Sequence, residues 1–89
     1  MKYKITVEGI SYEGEKYKNV GTAEITESAA FKYGNGKCLI IKLDGQCRDT
    51  YDIRYDRTYN QDNEKDYIKK FLENQYCNVN YVNVENCEM

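Results

Sequence analysis

The side chains best suited to chemistry are four cysteines, a scatter of carboxylates and ten tyrosines, and the chain contains no histidine. The missing histidine removes imidazole acid–base catalysis and imidazole metal ligation. Cys38, Cys47, Cys77 and Cys87 are separated by eight, twenty-nine and nine residues. Zinc sites built from cysteine normally use short Cys-x-x-Cys pairs, so this spacing predicts no metal site. A chain expected in the cytoplasm, with enough apolar residues for a core, needs no disulfide framework. A cysteine nucleophile would have only Lys or Asp to activate it. The expectation is four free thiols packed as small apolar residues.

The carboxylates fare no better. Asp52 and Asp56 fall on one face of an apparent strand, about 13 Å apart, too far for a paired acid–base site. Gly34-Asn35-Gly36 signals a turn, but no Lys-Ser/Thr follows it and no helix opens there, so a phosphate loop is not expected. These absences together predict no cofactor, no metal and no enzymatic activity.

The element expected to position everything else is a helix over Asn63 to Tyr76. At about 100° per residue, Tyr67, Ile68, Phe71, Leu72, Gln75 and Tyr76 share one half of the wheel. Asp66, Lys69, Lys70, Glu73 and Asn74 share the other, with Asp66–Lys70 in the favourable acid-first i,i+4 order. Asn63 suits the N-cap, and Asn78 suits the left-handed residue after the helix. Phe71, near mid-stripe, is expected to be a principal core contact.

The remainder reads as strands. Tyr3, Ile5 and Val7 alternate with Lys4, Thr6 and Glu8, and the parity flips after Gly9, which suggests a bulge there. After the polar turn 13–16, residues 17–27 place Ala23 and Ile25 inward and Thr22, Glu24 and Thr26 outward. Residues 28–37 are ambiguous between strand and helical turn. Residues 38–43, CLIIKL, are the most apolar strand. Residues 47–59 alternate, with Cys47, Tyr51, Ile53, Tyr55 and Tyr59 on the inward face. A three-residue loop Asp44–Gln46 would pair Leu43 with Cys47 and Leu39 with Tyr51, keeping apolar residues together; a one-residue slip would reverse every side chain. In residues 79–87, Val79 and Tyr81 have one parity and Val82 and Val84 the other, which predicts a bulge or an edge position. The fold expected is a single α+β domain over 1–89: an antiparallel meander of about four strands, one helix on a sheet face, then a final strand.

Composition bounds the partners. Net charge is −2, with residues 1–45 at +1 and residues 46–89 at −3. Neither half carries the basic footprint of a duplex binder. No apolar run is long enough to span a membrane, and the charged start MKYKITVEGI does not read as a signal peptide. The expected function is a protein-binding module with Arg48, Arg54, Asp56 and Tyr59 at the interface, because Arg and Tyr are enriched at hot spots. The last strand, if at an edge, offers a route to a homodimer. By size and composition the chain is analogous to phage and mobile-element inhibitors of host-defence complexes, anti-CRISPR proteins among them. The competing expectation is a single-stranded nucleic-acid binder using Tyr51, Tyr55 and Tyr59 as a stacking platform.

Overall fold

In the computed structural model, which describes residues 2–28 and 36–87, alternation becomes five antiparallel strands. They are β1 (Lys2–Ile10), β2 (Lys16–Ser28), β3 (Gly36–Leu43), β4 (Asp49–Asp52) and β5 (Val79–Asn86), in the order β4-β3-β2-β1-β5. The expected meander, helix and final strand are all present, and β5 returns to lie beside β1. Of the ambiguous segment 28–37, residues 29–35 lie outside the described residues.

Register follows the burial pattern. Leu39 stands opposite Tyr51 and Ile41 opposite Asp49, the register of the three-residue loop. The loop closes with Gln46 N–H donating to the Leu43 carbonyl at 3.1 Å. The irregularity expected at Gly9 is present on one side of β1 only: pairing with β2 runs without interruption through Gly9 and Tyr17. The shift lies across the ladder on β5, where Glu8 faces Tyr81 but Gly9 faces Val79, leaving Asn80 as the extra residue. That single bulge accounts for the parity change in β5 and turns Val79, Val82 and Val84 toward the same core. Gly9 has a different cause. The Tyr17 ring crosses directly over it to donate to the Cys77 carbonyl at 2.6 Å, and a Cβ there would strike the Tyr17 hydroxyl and the Asn78 carbonyl.

The helix α1 (Glu64–Gln75) is entered through a 3-10 turn, Gln61–Asn63. Asn63 caps it, accepting from Asp66 N–H at 3.2 Å, and Asn78 adopts φ +45 beyond its end. Asp66 and Lys70 pair at 3.0 Å. The core joins Ile5, Val7, Leu39, Ile41 and Leu43 of the sheet to Tyr67, Ile68 and Leu72 of α1. Phe71 is only half-buried at the margin, its ring edge-on to Tyr51 at 4.9 Å. The weight expected of Phe71 therefore falls on Ile68 and Leu72, both fully buried. Each contributes roughly 1.5–3 kcal/mol by transfer from water.

Candidate protein-interaction site

The segment after β4 departs most from its expected form. Alternation suggests a strand through Tyr59; the strand ends at Asp52, with a last bond to β3 from Ile53 N–H to the Lys37 carbonyl at 3.2 Å. The cause is a set of three side chains at four-residue spacing. Asp52 accepts from Arg54 N–H at 3.0 Å, Asp56 from Thr58 N–H at 2.9 Å, and Asn60 from Asp62 N–H at 2.9 Å. Each bond to the amide two residues on makes an Asx-turn, which competes with the ladder for the backbone. Backbone bonds from Asp56 to Ile53, Tyr59 to Asp56 and Asn63 to Asn60 close the corresponding turns. The chain winds from the sheet edge into the helix instead of extending.

This winding sorts the tyrosines. Tyr51 packs on Phe71, Tyr55 projects into solvent at 82% exposure, and Tyr59 turns inward against Tyr67 at 5.2 Å. The three do not share an exposed row, so the stacking platform considered above is not formed by them. Tyr55, assigned inward by alternation, is the exposed large hydrophobic residue of this segment.

The interface residues expected from sequence separate in the same way. Arg48 is exposed in the connection before β4. Arg54 makes a forked pair with Asp52, with Nε and Nη2 within 3.1 Å of the carboxylate. Its aliphatic stem lies across Gly36, where a Cβ would collide with it. That bond holds the Asp52 carboxyl below its ordinary range, with the Arg54 backbone N–H adding to the effect. Asp56 faces inward, accepting from Tyr67 Oη at 2.7 Å and from Thr58 Oγ1 at 2.6 Å. Those donors, Thr58 first, lower its pKa. Tyr59 donates to Glu64 Oε2 at 2.7 Å while Tyr3 donates to Glu64 Oε1 at 2.9 Å. Burial first, then the Glu64 bond, pushes both phenols up to about 12. Asp56 and Tyr59 are thus committed to holding the loop against α1 and β1.

What remains outward is a knuckle of Tyr55 and Arg57, with Arg54 stacked on the Tyr55 ring at 5.3 Å. It stands at the end of the sheet face opposite α1. That face presents rows such as Thr50–Ile40–Glu24–Lys2 and Lys42–Thr22–Lys4–Glu85, set by register. No described strand or helix packs on its middle, while at the end of β3 the Arg54 stem lies across Gly36 and Cys38 is buried. A signal for the knuckle was present in the sequence: Asp52, Asp56 and Asn60 recur every fourth residue, a turn-forming spacing masked by the period-two pattern of the residues between them.

Among the described residues no cluster of three metal-ligating side chains comes together. Cys38 is buried, its thiol pushed up by burial and then by Glu24 and Asp52; Cys47 is exposed, and Cys77 and Cys87 are half-buried. No helix among the described residues is long and apolar enough to cross a membrane. No family model matches the chain, and no curated protein or solved structure matches it.

Proposed function

We propose that this protein is a non-enzymatic protein-binding module whose partner meets the 54–57 knuckle and the adjoining sheet face. The observation that carries the reading is Tyr55, 82% exposed yet braced by Arg54 on a backbone fixed by Asx-turns. An exposed aromatic on a fixed backbone loses little entropy when it docks, and Tyr beside Arg is the composition of a hot spot. The reading keeps Arg54 as a brace and Arg48 as a rim residue, and adds Tyr55 and Arg57 as contacts. It moves Asp56 and Tyr59 to the support beneath. Inhibition of a host-defence complex is the specific role we attach to such a module, on size and composition alone.

Capture from a cell lysate tests this, using tagged wild type, Tyr55→Ala, Arg57→Ala and Lys70→Ala. A protein retained by wild type and Lys70→Ala but lost with Tyr55→Ala is the expected result. Equal retention by Tyr55→Ala contradicts the reading. Binding of single-stranded oligonucleotides that weakens steeply with salt would point instead to phosphate contacts.

A further inference from the structure

Among the described residues nothing pairs with the outer side of β5, and the phase of its backbone follows from its bonds to β1. Cys87 N–H donates to the Lys2 carbonyl at 3.2 Å. In an antiparallel ladder alternate residues bond to the same neighbour, so Glu85, Asn83 and Tyr81 also direct their N–H and C=O groups at β1. An independent bond across the sheet agrees. Asp44 N–H to the Val20 carbonyl turns even-numbered β2 residues toward β3. Odd-numbered β1 residues then bond to β2, and even-numbered ones to β5. The backbone groups of Val82, Val84 and Asn86 therefore point outward along a free edge. Val82 and Val84 are also only half-buried, lying at the rim of the core.

Protective devices are few on this edge. The residues VNYVNVEN carry no Pro and no Lys, and one carboxylate. The bulge at Asn80 limits pairing to the residues beyond it. Between the helix and the start of β5 lies a groove of about 270 Å³ lined by Lys69, Glu73, Val79, Asn80, Tyr81 and Val82.

We propose that β5 pairs with β5 of a second copy of this chain, antiparallel, about a two-fold axis at Asn83. The sequence is self-complementary in that register. Val82 stands opposite Val84 of the other copy, so both half-buried valines are covered and the two cores join on one side of a continuous sheet. Each Val82–Val84 pair exchanges two backbone bonds, about four across the axis. On the other side Tyr81 stands opposite Glu85, a phenol against a carboxylate, and Asn83 faces Asn83. A one-residue slip sets valine against asparagine and turns one core face away. Centring on Glu85 would oppose two like charges. The inference is independent of the knuckle's role.

Sedimentation equilibrium of the full chain from about 1 to 300 μM tests it, a range spanning ordinary dimer affinities. A dimer is expected, weakened at least tenfold by Asn83→Lys, which sets two ammonium groups face to face. Position 83 lies in a narrow, non-hydrogen-bonded pair, with Cα atoms about 4.5 Å apart, within disulfide range. With Cys47, Cys77 and Cys87 changed to Ser, Asn83→Cys should crosslink on mild oxidation faster than Glu85→Cys or Tyr81→Cys. If Asn83→Lys fails to fold, by circular dichroism, the crosslinking series decides. A wild-type chain monomeric throughout the range overturns the proposal. So does a folded Asn83→Lys that dimerises normally, or crosslinking no faster at 83 than at 85 and 81.

Discussion

The two edges of this sheet end in opposite ways. At β4 the strand stops after four residues and the chain leaves the sheet through Asx-turns at Asp52, Asp56 and Asn60. In the loop that follows, these side chains hold the amides of Arg54, Thr58 and Asp62, and what faces the solvent there is side chain: Tyr55 and Arg57, with Arg54 as brace. At β5 eight residues run beside β1 and nothing among the described residues pairs with their outer side. What that edge offers is backbone, with small Asn and Val side chains around it. A four-residue edge that runs into a turned loop offers a partner mainly side chains, whereas an eight-residue edge can take up a strand of matching register. One sheet therefore carries two distinct kinds of surface.

Both edges depend on the core that α1 shares with the sheet, so the largest effect should be blind to the difference between them. Leu72→Ala is expected to cost about 2–5 kcal/mol, measured by urea denaturation. A cost under 1 kcal/mol would mean that the helix does not hold the two edges together. Tyr67→Phe should separate them. It removes the hydroxyl that reaches Asp56 while leaving the apolar ring in place. We expect a loss of about 1–2 kcal/mol, with faster amide exchange at residues 54–59 and unchanged exchange in β5. Uniform change across both edges would show that the Asx-turn loop is not a separately held unit.

The ionisable groups that tie the 53–60 loop and β1 to the start of α1 sharpen the comparison further. Tyr3 and Tyr59 have folded-state pKa values raised to about 12 from an ordinary value of 10.0. Their contribution is therefore complete below pH 10 and is lost as pH rises toward 12. Asp56 is lowered from its ordinary 3.8, so its contribution is present above pH 4 and is lost as pH falls through the folded value. Tyr59→Phe should flatten the alkaline limb of stability against pH, read from thermal melts between pH 9 and 12. An alkaline limb of the same slope in Tyr59→Phe would remove the Tyr59–Glu64 contact from the account.

The part of this architecture legible in sequence was the part set by one strong local rule. Asn63 and Asn78 marked the helix ends because cap geometry depends on the side chain itself. Leu39 and Tyr51 revealed their register because only one pairing keeps apolar residues together. The parity change in β5 was visible, but its location was not, since Gly9 offered a second explanation that the close passage of Tyr17 satisfies. The loop 53–60 was misread because two periods coexist there. Alternating Tyr and charge mimic a strand, while Asp52, Asp56 and Asn60 at every fourth residue turn the chain, and the side-chain bonds prevailed over the alternation. The same misreading hid Tyr55 and brought Asp56 and Tyr59 forward as surface contacts. Phe71 was overweighted because wheel position does not tell whether a residue meets the centre of the sheet or its margin.

The smallest expected effect on folding accompanies the most informative one on binding. Tyr55→Ala should change stability by no more than about 0.5 kcal/mol, as exposed substitutions do. The direct test of the side-chain-presenting edge is calorimetric titration of the captured partner with wild type, Tyr55→Ala and Lys70→Ala. At least a tenfold loss of affinity is expected for Tyr55→Ala, about 1.4 kcal/mol, with Lys70→Ala unchanged. Full affinity in Tyr55→Ala, or a loss confined to Lys70→Ala, would contradict it.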